Sequence, residues 1–361
     1  MGTHADRLEA LLGELLALPC VTGEEGPIAD LVESRYAGRG ERVQRVGHSI
    51  VVGEPDADRP DVLLVGHLDV VPPTDADRRA RRDGDRIVGR GASDMKSGLA
   101  AAMDCFEDPA LRAGPYNLLL VAYAGEEGPH EANELARVLD AVPEVGEADL
   151  AVVLEPTDLT VQLGCLGALH AEVTIRGRAA HSARPWQGEN ALTKAGGLLA
   201  ELHDRRPVDV TVDGLTYQEV LTATQAWTAN ARNVVPDRFT VNVNYRFAPD
   251  KTVESAEEAL RAFLGDRAEC HVTDRAPAAR PYRDNPHVAA FVETVGAPVE
   301  AKQAWTDVAR FAAEGVPALN YGPGLTGQAH QAGEYVPVGN LHAARERLAA
   351  FLGRPWGRDA G

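Results

Sequence analysis

A chain built on a mostly parallel α/β sheet, interrupted by a smaller α+β insertion, is the fold this sequence predicts, and three observations predict it. Val62-Leu-Leu-Val65, Leu118-Leu-Leu-Val-Ala122 and Ala151-Val-Val-Leu154 are apolar at every position, as strands covered on both faces are. A helix through Phe106 lies between the first two. From about Leu169 to Pro281 the pattern shifts to alternating, half-exposed strands in the order β-α-β-β-α-β, a ferredoxin-like unit. At 361 residues two domains are the default, because a single core rarely grows that large. The expected division is residues 1–169 and 283–361 for the α/β domain and 170–282 for the insertion.

Taken in order, residues Asp6 to Leu18 place Leu8, Leu11, Leu12, Leu15 and Leu16 on one helical face. Thr22 to Pro27 reads as a loop before a second helix through Ile28, Leu31 and Val32, with Glu24 and Glu25 as favourable first-turn charges. The first buried strand ends in His67-Leu-Asp69. The run from Thr74 to Arg86, rich in arginine and aspartate, reads as a solvated surface segment. Gly89 to Gly98 opens a helix through Phe106, where Ser93 or Asp94 is either the cap or, for Asp94, a metal ligand. Later strands end in Gly125-Glu126-Glu127-Gly128 and in Glu155-Pro156. A further strand at Pro317–Gly322 precedes His330 in a glycine-rich loop. Within the insertion the expected elements are a strand from His170, a helix from Asn190 to His203 and strands Leu221–Trp227 and Phe239–Phe247. A helix Val253–Leu264 and a strand Glu269–Thr273 complete it.

The net charge of −18 argues against nucleic-acid and anionic-membrane partners, which would repel such a surface. No stretch approaches the roughly 20 apolar residues of a membrane span. The start Met1-Gly-Thr-His-Ala-Asp6 lacks the basic and apolar regions of a signal peptide, so a cytoplasmic location is expected. Cys20, Cys105, Cys165 and Cys270 are scattered, which suits reduced thiols better than a disulfide frame or a thiolate metal site.

His67, Asp94, Glu127, Glu155 and His330 each fall at the end of a strand, at the start of a helix or in a loop after one, where functional groups of open α/β sheets collect. Two imidazoles and three carboxylates without thiolate form the donor set of a dinuclear zinc, cobalt or manganese site. Two adjacent carboxylates beside a buried strand make sense when a cation or proton lies between them. Glu126 is then the natural general base, and Asp69 the partner that orients the His67 ring.

Assembled, these residues resemble the dinuclear zinc aminoacylase and carboxypeptidase superfamily, which includes acetylornithine deacetylases, succinyl-diaminopimelate desuccinylases and glutamate-releasing carboxypeptidases. The resemblance spans nearly the whole chain, through Gly66-His67-Leu-Asp69-Val-Val-Pro72, Gly91-Ala-Ser-Asp94-Met-Lys-Ser-Gly98, Glu126-Glu127-Gly, Leu154-Glu155-Pro-Thr157 and His330 with Glu334-Tyr-Val-Pro337. It implies a zinc-exopeptidase-like catalytic domain with a lid and dimerisation insertion, hence a homodimer. By this resemblance His67, Asp94 and Glu155 hold one metal, while Asp94, Glu127 and His330 hold the other. His181, in Gly177-Arg-Ala-Ala-His181-Ser, is similar to the lid histidine that stabilises the oxyanion in the neighbouring subunit's site. Asn233 and Arg246 resemble the pair that binds the substrate carboxylate, with Thr306 as a further contact.

Ala180-His-Ser-Ala-Arg184, Asn244–Asp250 and Ala318–Gly324 resemble the shorter, actinobacterial type of desuccinylase. The implied substrate is N-succinyl-LL-2,6-diaminopimelate, ahead of acetylornithine or another N-acyl amino acid and of a glutamate-releasing carboxypeptidase activity. In one departure, Gly164-Cys-Leu-Gly167 stands where better-characterised desuccinylases of the proteobacterial type carry an arginine pair. A non-catalytic amino-acid- or peptide-binding relative would be expected to have lost a ligand or the base; here all six side chains are present.

Overall fold

The computed structural model describes residues 4–18 and 20–355, so the reading of Met1–Thr3 lies outside the described residues. The chain forms two compact units: one of residues up to Leu163, Tyr282–Glu300 and from Arg310 onward, the other of Gly164–Pro281 and Ala301–Ala309. The division therefore falls six residues earlier than 169/170 at the first junction and one earlier than 282/283 at the second, and it adds a segment. Hydrogen bonds explain the addition. Gln303 Nε2 donates to the Thr216 carbonyl at 2.8 Å and Trp305 Nε1 to that of Pro277 at 3.1 Å.

In the first unit an eight-stranded sheet runs in the order Val43–Val46, Ser49–Val52, Asn117–Tyr123, Asp61–His67, Leu150–Val153, Ala318–Asn320, Val161–Leu163, Val299–Ala301. Asn117–Tyr123, Asp61–His67, Leu150–Val153 and Ala318–Asn320 are mutually parallel, and antiparallel strands flank them. All residues of Asn117–Tyr123 and Leu150–Val153 are buried, which is why their sequences do not alternate.

The helix Lys96–Phe106, buried at every position, packs on the Asp61–His67 strand and against the helices His4–Leu16 and Val338–Leu352. A Cβ on Gly98 would meet the Leu154 carbonyl oxygen at 2.1 Å, so only glycine lets helix and strand end approach this closely. Neither Ser93 nor Asp94 caps this helix. Met95 occupies the cap position, and the Ser93 hydroxyl donates to the Tyr335 carbonyl at 2.7 Å instead.

The readings of Glu25 and of Thr74–Arg86 need correction. Glu25 precedes the helix Gly26–Ala37 but is buried, with Oε1 accepting from the Gly23 amide at 2.9 Å. Within Thr74–Arg86, Asp77 is buried, and two short strands join Tyr335–Pro337 in a three-stranded sheet. Charge density marked that run as solvated, yet partners distant in sequence cover one of its aspartates.

The second unit is a five-stranded antiparallel sheet ordered Val208–Val212, Leu215–Trp227, Arg238–Phe247, Gly167–Arg176, Glu269–Ala276. Its core gathers Leu169, Val173, Val241, Val243, Leu198 and Leu260. Helix Val253–Leu264 begins at a Thr252–Ser255 capping box. The helix expected over 190–203 is two helices, Ala191–Lys194 and Gly196–Asp204. Strand Val208–Val212, mostly exposed, adds an edge that the sequence pattern did not mark because it contributes little to the core.

Candidate metal centre and active site

The parallel strands deliver their carboxyl ends to one edge of the first unit's sheet, and the chemistry collects there. His67 is fully buried at the end of its strand. Its Nδ1 lies 3.0 Å from the Asp69 backbone carbonyl, which assigns the ring proton to Nδ1. The other ring nitrogen, Nε2, faces Asp94 Oδ1 at 3.3 Å. The other oxygen, Asp94 Oδ2, stands 3.7 Å from His330 Nε2, and that nitrogen is 2.8 Å from Glu127 Oε2. One carboxylate thus spans two imidazoles. His330 holds φ 61°, a backbone conformation uncommon outside glycine.

Ligand-type atoms of His67, Asp94 and Glu155 lie within 4.8 Å of one another, and so do those of Asp94, Glu127 and His330 and those of His67, Glu126 and Glu127. Burial opposes a charge on His67, but Asp94, Glu126 and Asp69 together hold its pKa well above the usual histidine range. Burial and the Asp94 carboxylate push Glu127 up to about 7, against the pull of His67 and His330. Both shifts describe a pocket that wants positive charge. The donor set is nitrogen and oxygen only, and it shares one bridging carboxylate, so it fits a pair of divalent ions.

Asp69 does more than the expected orientation of the ring. Its Oδ1 is 3.7 Å from His67 Nδ1, beyond a hydrogen bond, and the ring is held by the Asp69 backbone instead. The carboxylate accepts from the amides of Glu126 at 3.1 Å and Glu127 at 3.0 Å and from the Thr22 hydroxyl at 2.9 Å. It therefore anchors the loop that presents both glutamates.

Glu334 plays the same part for Asp94. Buried, it accepts from the amides of Gly91 at 3.0 Å, Ser93 at 2.8 Å and Asp94 at 2.9 Å, and from Arg90 Nη1 at 2.9 Å. Arg90 Nη2 reaches Asp77 at 3.1 Å, and Asp77 also accepts from the Gly333 amide at 2.8 Å. Sequence reasoning gave Glu334 no role and placed Asp77 at the surface. The available signal was Arg90, a lone arginine between two glycines that follow a buried Ile87-Val88 pair.

His181, Asn233, Arg246 and Thr306 belong to the second unit. Ala180–His181 pairs antiparallel with Val234–Val235, and the Ser182 amide donates to the Asn233 carbonyl at 2.9 Å, so His181 and Asn233 are neighbours. His181 Nδ1 accepts from the Ala183 amide at 3.0 Å, which leaves Nε2 as the N–H donor. Arg246 lies in Arg238–Phe247 with Nε bonded to Asn244 Oδ1 at 3.0 Å, and burial lowers its pKa. Thr306 is buried.

The profile of Peptidase family M20/M25/M40 matches residues 63–354. A Mycobacterium tuberculosis protein provisionally named succinyl-diaminopimelate desuccinylase is 40% identical over 347 residues, spanning 95% of this chain and 97% of its own. The succinyl-diaminopimelate desuccinylase of Corynebacterium glutamicum is 35% identical over 352 residues, 95% of each chain. Among solved structures, a tripeptidase from Staphylococcus aureus superposes with a TM-score of 0.78 at 18% identity, over 97% of this chain and 98% of its own.

Proposed function

This chain belongs to Peptidase family M20/M25/M40, and from that premise we propose that it removes the succinyl group from N-succinyl-LL-2,6-diaminopimelate. It is a metal-dependent amide hydrolase. The observation that carries the reading is Asp94, one carboxylate facing a ligand-type histidine with each oxygen.

We assign one divalent ion to His67, Asp94 and Glu155 and a second to Asp94, Glu127 and His330, zinc by preference and cobalt or manganese as substitutes. Such a pair, when bound, polarises an amide carbonyl and acidifies water. Glu126, whose amide is held by Asp69, takes the proton of the attacking water and returns it to the leaving amine. His181 offers Nε2–H to the oxyanion. Asn233, Arg246 and Thr306 hold a substrate carboxylate, Arg246 as a half-buried cation whose charge an anion would satisfy.

The acyl group rests on the names of two relatives at 40% and 35% identity across almost the entire chain. Removal of an acetyl group is the second reading, favoured by the uncharged Gly164-Cys-Leu-Gly167 segment. We also infer a homodimer through the insertion. Residues 220–227 of Leu215–Trp227 have a strand neighbour on one side only among the described residues. No described helix is long and apolar enough to cross a membrane; a cytoplasmic address is part of the proposal.

Metal-loaded protein assayed against N-succinyl-diaminopimelate, N-acetylornithine and an acyl-glutamate tests the substrate. Glu126→Gln should lower kcat by about 10²- to 10⁴-fold with bound metal unchanged. Near-normal turnover by that variant would remove Glu126 as the base.

A further inference from the structure

One face of the insertion's sheet carries a connected row of polar side chains. Along Gly167–Arg176 and Arg238–Phe247, Leu169, Ala171, Val241 and Val243 belong to the core, so His170, Asn242, Asn244 and Arg246 project from the opposite face. Strand register sets His170 directly across from Asn244. Arg246 Nε donates to Asn244 Oδ1 at 3.0 Å, and Asn244 Nδ2 lies 2.8 Å from His170 Nε2. On the other side of the ring, Asn242 Nδ2 lies 3.3 Å from His170 Nδ1 and 2.6 Å from Thr224 Oγ1. Asn244 is only 8% exposed, so its carboxamide depends on these partners.

The chemistry of the groups gives the row a direction. A guanidinium only donates, so the Asn244 atom that meets Arg246 is the oxygen and the atom that meets the ring is the amide nitrogen. His170 Nε2 is therefore an acceptor, and the neutral ring carries its proton on Nδ1. Two amide nitrogens facing two ring nitrogens would leave that proton no acceptor. Arg246 fixes Asn244, so it is the Asn242 carboxamide that turns its oxygen to the ring, where the Thr224 hydroxyl donates to it as well. A charged ring breaks this order. With both nitrogens protonated, Nε2 cannot accept from Asn244, whose amide must turn and set its own N–H groups against Arg246 Nε.

We propose that His170 is a positioning residue for Arg246: the neutral ring holds the Asn244 carboxamide, and through it the plane of the guanidinium that receives a substrate carboxylate. This rests on the proposed deacylase reading, in which Arg246 takes that carboxylate. Among the described residues the bond to Asn244 is the one hydrogen bond the guanidinium makes; Asp274 acts on it as a charge, without a bond that sets its plane. The charged and titratable groups on this face near the ring are Asp274, opposite His170 on Glu269–Ala276, Glu172 on its own strand with His271 opposite, and Arg246. The ring nitrogens themselves meet only the two carboxamides. Substrate affinity therefore weakens on the acid side, where His170 takes up a second proton, while the chemical step is untouched.

The test uses the full-length, metal-loaded enzyme with two substitutions at this half-buried position outside the core. His170→Phe keeps a ring and removes both nitrogens; His170→Gln offers an oxygen that accepts from Asn244 and does not titrate. On N-succinyl-diaminopimelate at neutral pH, His170→Phe should raise KM roughly 3- to 10-fold, the worth of one ordinary hydrogen bond, with kcat within about twofold of wild type. His170→Gln should keep KM near that of wild type and lose the rise in KM that wild type shows as pH falls from about 8 to about 5. That lost acid limb decides the matter by itself should the phenylalanine variant not fold. Nitrogen NMR reads the row directly: the Arg246 Nε–H, assigned with Arg246→Lys, should exchange slowly in wild type and His170→Gln and fast in His170→Phe. An unchanged KM in His170→Phe, a loss in kcat in place of KM, an acid limb that survives in His170→Gln, or an Nε–H indifferent to His170→Phe would each overturn the proposal. If wild type hydrolyses no N-acyl amino acid, the deacylase reading fails while the Nε–H exchange still decides whether His170 positions Arg246.

Discussion

Replacing Glu334 by alanine tests whether the loop carrying Asp94 is held from behind. The substitution removes the acceptor for three backbone amides, those of Gly91, Ser93 and Asp94, and one of the two partners of Arg90. Hydrogen bonds to a charged acceptor are worth about 1.5–3 kcal/mol each, but four that share one carboxylate do not add. Breaking a buried pair from one side costs about 3–5 kcal/mol, and Asp77 still neutralises Arg90, so the lower half of that range is expected for stability. Loosening the partners of a metal ligand typically costs 10- to 100-fold in metal affinity, a penalty that should appear in both of the sites proposed for Asp94. Glu334→Gln should fall between, since its amide nitrogen would face the donors Arg90 Nη1 and Gly91 N–H or Ser93 and Asp94 N–H. Urea unfolding of the metal-free protein and competition with a chelator give the two numbers. A Glu334→Ala protein that unfolds and binds zinc like wild type would refute the argument.

Asp69→Asn should depress kcat more than metal content, because the carboxylate grips the Glu126 and Glu127 amides and the His67 ring leans on the backbone instead; metal loss preceding any change in turnover would reverse that order. Saturation with zinc at about 100 times its dissociation constant should stabilise the protein by about 2.7 kcal/mol, read as the shift in chemical unfolding with and without chelator, and indifference to chelator would contradict a metal centre. Thr22→Val, which deletes one donor to Asp69, should lower kcat modestly with KM unchanged; no change in kcat would free Thr22 of any part in positioning the loop.

Much of this molecule was legible because burial writes itself into sequence. Strands covered on both faces, Asn117–Tyr123 and Leu150–Val153, need apolar residues at every position, and the polar groups that interrupt them at their carboxyl ends, Glu126, Glu127 and Glu155, stood out for that reason. The helix Val253–Leu264 announced itself through its cap and its apolar stripe. Hidden elements were those whose sequence resembles exposed chain: the edge strand Val208–Val212, and the break between Lys194 and Gly196 inside a continuous helical pattern.

Composition and local pattern by themselves determined the two-part architecture, the parallel sheet and the donor types at its edge, because each depends on a residue and its near neighbours. Only the tertiary structure decided that Asp94 turns one oxygen to His67 and the other to His330. It also decided that Glu334 and Asp77 lie buried around Arg90. Those facts join residues up to about 240 positions apart, and a charge on a sequence looks solvated until the fold brings the opposite charge.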